Sequence, residues 1–241
     1  MRALLPGLRV SNALDMVIAN GENSSGGFGL TPETAEELFE NGVNVITSGN
    51  HIWDQKEIIP VLEEEVLPIL RPLNYPQGAP GRGFLVWKEV LVVNLMGRTF
   101  MQTLDCPFRA MDKLLAELHP RPKAIVVDFH AEATSEMGAM GWYLDGRVSA
   151  VLGTHTHVGT VDARVLPRGT AFVSDVGMVG AMNSVIGSDP EDVIFRFLTQ
   201  QPRRLNVASG GPLRLNSVLV EIDPATGKAL SIQRVDREMK E

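Results

Sequence analysis

The chain has 241 residues, of which 44% are hydrophobic and 21% charged, a composition typical of a globular protein. Its length suits one α/β domain, and we predict a single domain over residues 1–241. The net charge of -7 gives no electrostatic footprint for non-specific nucleic-acid binding, but it does not exclude an anionic substrate, because bound metal ions can invert the local field. A single cysteine, Cys106, excludes an internal disulfide framework, and no apolar run is long enough to span a membrane. We therefore predict a cytoplasmic protein without a membrane partner; the sequence leaves the oligomeric state open, with a homo-oligomer as one option.

Helices and strands alternate in the first half of the chain. Branched apolar runs predict strands, and helical spacing bounded by capping residues predicts helices. The predicted elements are the end of a helix at 1–12, a strand at 15–19, a helix from Thr31 to Asn41-Gly42, a strand at 43–46, a helix at 54–66 interrupted by Pro60, a long surface loop at 67–83, and strands at 84–87 and 90–95.

The same alternation continues to the end of the chain. The predicted elements are a helix at 108–118, a strand at 123–129, a helix at 136–144, a strand before Gly153, short strands around Val165 and Phe172, a helix at 190–199 capped by Asp189, and strands at 213–222 and 229–235. A chain that repeats strand, polar motif and helix folds as an α/β domain, with its functional loops at the carboxyl ends of the strands.

Four polar motifs directly follow or end predicted strands, and this topology brings them together. They are Gly21-Glu22-Asn23, Gly49-Asn50-His51, Asp128-Phe129-His130, and Gly153-Thr154-His155-Thr156-His157. Carboxylate, amide oxygen and imidazole form a mixed donor set that suits iron, manganese or zinc rather than a calcium site.

His155 and His157 are the starting point of the predicted metal site. Side chains alternate along a strand, so the two imidazoles would point to one face there, and just past a strand end the chain can aim both into one cleft. The alternative is a pair of loop histidines with no common role. A paired-metal site needs a bridging ligand, and we assign that role to Glu22, which has glycine on one side and a strand before it.

Several of these motifs resemble those of a known enzyme family. Gly49-Asn50-His51 and Gly153 to His157 resemble signatures of the calcineurin-like metallophosphoesterases. Asn20-Gly21-Glu22-Asn23 and the segment from Asp128 to Glu136 are similar to a small bacterial branch with phosphodiesterase activity on cyclic nucleotides, including 2′,3′-cyclic AMP. The resemblance covers nearly the whole chain. It implies a four-layer α/β/β/α sandwich of two sheets flanked by helices.

The resemblance also implies a site for two divalent or trivalent transition-metal ions, with iron favoured and manganese or zinc as alternatives. Glu22 would bridge the ions, and His51 would be the proton donor. The remaining implied ligands are Asn50, His130 and His155 for one ion, and His157 with Asn23 for the other. Glu132 and Glu136 are expected to contact a ligand or solvent rather than to catalyse.

The chain departs from the family pattern at its start. The family begins with a strand that ends in Gly-Asp, and this Asp binds the ion that His157 would serve. The sequence begins in what corresponds to the following helix, so the first strand is apparently missing, and Asp15 lies too early in the next strand to replace the ligand. Either an upstream segment precedes this sequence or that metal site is weakened. We favour an upstream segment, because every later motif is intact.

The expected reaction is hydrolysis of a cyclic nucleotide or a similar small phosphodiester by a metal-activated hydroxide. His51 would protonate the leaving oxygen; alternatively, it only hydrogen-bonds a metal ligand. A metal-impaired or mononuclear protein that acts as a binding or regulatory module is the alternative function. A barrel amidohydrolase would place its paired histidines on the first strand, and Gly26-Gly27-Phe28-Gly29 lacks the spacing of a phosphate-binding loop.

Overall fold

The computed structural model describes residues 1–239. The helices are α1 Leu5–Ser11, α2 Pro32–Glu40, α3 Ile58–Glu64, α4 Pro107–Glu117, α5 Thr134–Leu144 and α6 Pro190–Thr199. The strands are β1 Ile18–Asn20, β2 Val45–Thr47, β3 Phe84–Trp87, β4 Val90–Met96, β5 Ala124–His130, β6 Ala150–Thr154, β7 Arg164–Val165, β8 Ala171–Val173, β9 Val179–Ala181, β10 Leu213–Leu215, β11 Val218–Ile222, β12 Ala229–Arg234 and β13 Arg237–Met239. None of the helices in this part of the chain is long and apolar enough to cross a membrane.

A six-stranded sheet with the order β3-β4-β5-β6-β8-β7 forms the centre of the fold. Its four inner strands are parallel, and the edge strands β3 and β7 are antiparallel to their neighbours. Every residue of β5 is buried, as expected for a parallel strand covered on both faces. The carboxyl ends of β5 and β6 are in register, with His130 opposite Thr154.

The two faces of this sheet are covered differently. Helices α4 and α5 pack on one face, where Met111 and Met137 are buried against the side chains of the inner strands. The parallel pair β1-β2 and the antiparallel pair β11-β12 lie on the other face, as shown by the packing of Ile18 and Ile232 against Val126. Helices α1, α2 and α3 cover the outside of β1-β2. The predicted four-layer α/β/β/α sandwich is confirmed.

Three predictions about local structure were wrong in detail. Pro60 does not interrupt α3, because it is the third residue of the helix, where a backbone N–H has no intrahelical acceptor to lose. The segment 67–83 is not only a surface loop: Ile69 and Leu70 are buried, and both form β-bridges. The strand predicted at 213–222 is two strands, since β10 pairs with β9 and β13 whereas β11 pairs with β12.

A buried polar network ties the two sheets together where their strands end. Asn20 of β1 donates to Asp128 of β5 at 3.0 Å, and Thr154 of β6 donates to the same carboxylate at 2.7 Å. Thr47 of β2 donates to it as well. Burial raises the pKa of Asp128, and the hydrogen bonds from Thr47 and Thr154 oppose that rise. This network fixes β1, β2, β5 and β6 at the edge that carries the polar motifs.

Candidate metal centre

Four predicted ligands lie around one point at the carboxyl ends of the parallel strands. The Nε2 atom of His130 is 3.0 Å from Asn50 Oδ1, 3.0 Å from His155 Nδ1 and 3.1 Å from Glu22 Oε2. Donors bound to one ion with bonds of about 2.0–2.1 Å lie on the order of 3 Å apart. The spacing of these four atoms therefore fits a single transition-metal ion.

In neutral His130, the hydrogen bonds of the ring place its one N–H proton on Nδ1. Its Nδ1 atom is 2.9 Å from the hydroxyl of Thr154. That hydroxyl donates its one hydrogen to Asp128, so it accepts from His130 Nδ1–H. In the neutral imidazole, Nε2 then carries a lone pair that faces the cluster, which is the tautomer a metal ligand needs.

His155 is oriented in the same way by an acidic neighbour. Its Nε2 atom is 3.0 Å from a carboxylate oxygen of Glu132, so Nε2 carries the hydrogen and the Nδ1 lone pair points to His130. Burial, and then the charge of His130, lowers the pKa of His155 and favours the neutral form that binds metals. Glu132 therefore contacts His155, one of the predicted metal ligands, as expected from the sequence.

Glu22 supplies the negative charge of the cluster. Its side chain is 4% exposed, and burial alone would raise the pKa of the carboxyl. When His130 is protonated, its positive charge and its hydrogen bond to Glu22 outweigh burial, so the pKa of Glu22 is lowered and the group is held as a carboxylate. When His130 is neutral, its lone pair and those of the other acceptors face this anion, and a cation between them would remove the repulsion. The donor set therefore fits a cation.

Asn23 and His157 lie on the other side of Glu22. The Asn23 amide nitrogen is 3.1 Å from His157 Nε2 and 3.2 Å from Glu22 Oε1. His157 Nδ1 donates to the carbonyl of Ile186 at 2.7 Å, which leaves the Nε2 lone pair facing Asn23. The Asn23 Oδ1 atom is buried and has no hydrogen-bond partner among residues 1–239. The amide nitrogen donates to both neighbours, so a cation between Glu22 and His157 would require the Asn23 amide to turn and present Oδ1 to it.

His155 and His157 reach the cluster because they lie in the loop after β6. The alternation of side chains along a strand does not orient them. The strand ends at Thr154, and His155 and His157 have positive φ angles of 113° and 67°. The buried carboxylate of Asp175 holds this loop by accepting from the backbone N–H of Thr156 at 2.8 Å and from its hydroxyl at 2.9 Å. Strand alternation therefore does not orient these two histidines, which lie in the loop just past the strand end.

His51 lies beside the cluster, and its ring pairs with Asp54 rather than with a cluster atom. Its Nδ1 atom is 2.8 Å from Asp54 Oδ2, and its side chain remains 27% exposed. The backbone N–H of His51 donates to Glu22 at 3.4 Å, and within residues 1–239 no hydrogen bond or ion pair joins the ring of His51 to a cluster atom. Asp54 was not predicted as a site residue, although its position three residues after a histidine was a usable signal. This pair can hold a proton near the cluster without contributing a ligand.

Gly49 leaves the space that the ligands occupy. A Cβ atom at this position would overlap Glu22 Oε2 and His130 Nε2. We expect Gly49→Ala to weaken metal binding by at least about 10-fold, because the new methyl group separates these two ligands. Metal titration followed by mass spectrometry measures the change. Gly7→Ala is the matched control, since no atom lies within 4 Å of a Cβ there; equal metal binding by both variants would contradict this geometry.

A four-layer sandwich with carboxylate, amide and imidazole ligands at its strand ends defines a metallophosphoesterase-like protein. Over residues 1–235 the chain matches the family of YmdB-like proteins, and it belongs to that family. It is 46% identical over 239 residues to the 2′,3′-cyclic-nucleotide 2′-phosphodiesterase of Bacillus subtilis (strain 168), an alignment that covers 98% of this chain and 90% of the relative. It is 37% identical to a putative phosphatase/phosphodiesterase of Mycoplasma pneumoniae, covering 92% of this chain and 81% of that protein.

Solved structures give the same fold. A hypothetical protein from Thermus thermophilus superposes with a TM-score of 0.91 at 45% identity, covering 98% of this chain and 92% of that chain. A structure described as a novel phosphatase from Mycoplasma pneumoniae also has a TM-score of 0.91, at 33% identity, covering 99% and 88%. These relatives confirm the predicted family, and the chain is a hydrolase.

Proposed function

We propose that this chain is a metal-dependent phosphodiesterase that hydrolyses a cyclic nucleotide such as 2′,3′-cyclic AMP, or a similar small phosphodiester. The observation that carries the proposal is the convergence of Glu22, Asn50, His130 and His155, whose lone pairs face one another beside the His51–Asp54 pair. The name of the Bacillus subtilis relative supports the substrate class.

We assign the following roles to the residues of the site. Glu22, Asn50, His130 and His155 would hold one ion, and His157, Asn23 and the shared Glu22 would hold the other. Bound ions would supply an activated water and would offset the charge of the phosphoryl group. His51 would protonate the leaving oxygen, and Asp54 would hold its ring in the orientation that this step needs. Iron is the favoured metal, with manganese or zinc as alternatives.

Metal removal tests the proposal. We expect the purified protein to hydrolyse 2′,3′-cyclic AMP and to lose at least about 1,000-fold in rate after chelation, because charge stabilisation and nucleophile activation are lost together. Iron, manganese and zinc are then added back separately, and the rate is compared with the metal content. Full hydrolysis by a preparation in which mass spectrometry finds no transition metal would contradict the proposal.

The two halves of the site are expected to bind metal unequally. Within residues 1–239, one group of three acidic, histidine or cysteine side chains is close enough together to hold a metal ion. It consists of Glu22, His130 and His155. The protein should therefore hold one ion tightly and a second weakly, because within residues 1–239 Glu22 is the one carboxylate found against Asn23 and His157. Calorimetric titration measures the two affinities, and two equally tight ions would contradict this expectation. One ion with no hydrolysis would favour the alternative of a binding or regulatory module.

Three further assignments stay predictions: one domain over residues 1–241, a cytoplasmic location, and no stable nucleic-acid binding. Whether the protein forms a homo-oligomer is also untested.

An apolar surface that could serve in such an assembly lies on helix α6. Its side chains Ile194, Phe197 and Leu198 are exposed and spaced to lie on one side of the helix.

A further inference from the structure

A cavity of about 410 Å³ lies between the glycine-rich loop after β1 and the end of α6. The loop contributes Phe28, and the end of α6 with the segment after it contributes Arg196, Arg203 and Arg204. Gln55, from the segment that follows His51, forms part of the wall. No residue that lines this cavity is acidic.

The three arginines of the cavity differ in how far their charges are neutralised. Arg203 pairs with Asp192 at 2.7 Å, and its guanidinium lies 4.9 Å from the ring centre of Phe195. No hydrogen bond or ion pair of the Arg196 or Arg204 side chain is found within residues 1–239. In a chain with a net charge of -7, two free guanidinium groups and a third beside them make this cavity a site for an anion. Guanidinium geometry matches phosphate oxygens in particular.

Phe28 lines the cavity and also packs against His51, the candidate proton donor. The ring of Phe28 meets that of His51 edge to face, with 5.1 Å between ring centres and an interplanar angle of 75°. Gln55 fixes this part of the cavity wall by donating from Nε2 to the backbone carbonyl of Phe28 at 2.8 Å. The residue before Gln55 is Asp54, the partner of His51. Phe28 therefore contacts His51 and also lines the arginine-rich cavity, so the cavity adjoins the candidate proton donor.

We propose that the cavity binds a second phosphate group of the substrate, an inference that rests on the proposed phosphodiesterase function. The preferred substrate class is then a nucleotide 2′,3′-cyclic phosphate that carries another phosphate at its 5′ position, including the 3′ end of a short oligonucleotide. Arg196 and Arg204 bind this second phosphate, and Phe28 contacts the nucleoside between the two phosphates.

The test compares adenosine 2′,3′-cyclic phosphate with and without a 5′-phosphate as substrates of the metal-loaded enzyme. We expect kcat/KM to be about 10-fold higher for the 5′-phosphorylated substrate, because charge-assisted hydrogen bonds to one phosphate account for a factor of this size. The double variant Arg196→Gln/Arg204→Gln should lose this preference through KM while keeping its kcat/KM for the other substrate. Arg109→Gln, on the exposed side of α4, is the matched control and should keep the preference.

Binding of product-like ligands separates failure of this inference from failure of the proposed function. Calorimetry on the metal-loaded enzyme compares adenosine 3′-phosphate with adenosine 3′,5′-bisphosphate, and it requires no turnover. We expect the bisphosphate to bind about 10-fold more tightly to the native chain and equally tightly to the double variant. Equal affinities in the native chain, or a preference that survives in the double variant, would overturn the second phosphate site. If the enzyme hydrolysed neither cyclic substrate, the proposed function would be overturned. The calorimetry would still test the second phosphate site.

Discussion

His51→Ala is expected to lower kcat by about 100- to 10,000-fold while leaving the metal content unchanged, because a general acid typically contributes this much to the rate. The His51 ring bonds to Asp54 rather than to the cluster, and the backbone N–H that faces Glu22 remains in alanine. The loss should shrink for an aryl phosphodiester whose leaving group needs no proton. His119→Ala, at an exposed histidine after α4, is the matched control. Equal metal loss in His51→Ala and His155→Ala would show that His51 is a ligand.

Asp54→Asn tests whether the carboxylate acts through His51. We expect kcat to fall by about 10-fold with the metal content unchanged, because the amide keeps the shape of the side chain but removes the carboxylate that holds the His51 ring through Nδ1. The double variant with His51→Ala should be no slower than His51→Ala alone, since residues that act as a unit are not additive. Fully additive losses would mean that Asp54 has a separate role.

The place of the site was predictable from the chain because parallel strands gather their carboxyl ends at one edge. Buried strands are marked by branched apolar runs, so Glu22, Asn50 and His130 could be assigned to that edge before their contacts were known. The contacts of Asp128 could not be predicted, because they depend on how the two sheets pack on each other. Asp128 accepts from Asn20 and Thr47, which belong to strands more than 80 residues earlier in the chain.

Local conformation was less predictable where the backbone leaves the regular regions. His155 and His157 have positive φ angles, which histidine seldom adopts, and the restraint comes from Asp175 in a distant segment. The short strands β9 and β13 were missed for a related reason. Each has three residues and pairs with β10 through long-range contacts, so no alternating pattern is long enough to mark them.

Glu22→Gln is expected to remove both ions, because Glu22 is the carboxylate shared by the two halves of the proposed site. Metal affinity should fall by more than the roughly 10- to 100-fold typical of residues that only orient a ligand. Glu132→Gln provides that comparison, since Glu132 contacts His155 from the outside and its side chain is 49% exposed.

Glutamine retains the size of the Glu22 side chain, so the loss of metal should not come from unfolding. The melting temperature of metal-free Glu22→Gln should stay close to that of the metal-free native chain, whereas added iron or manganese should raise it only in the native chain. Mass spectrometry under native conditions counts the ions in both proteins. Two ions per chain in Glu22→Gln would remove Glu22 from the bridging position, and the shared ligand would then have to be sought among the other residues of the cluster.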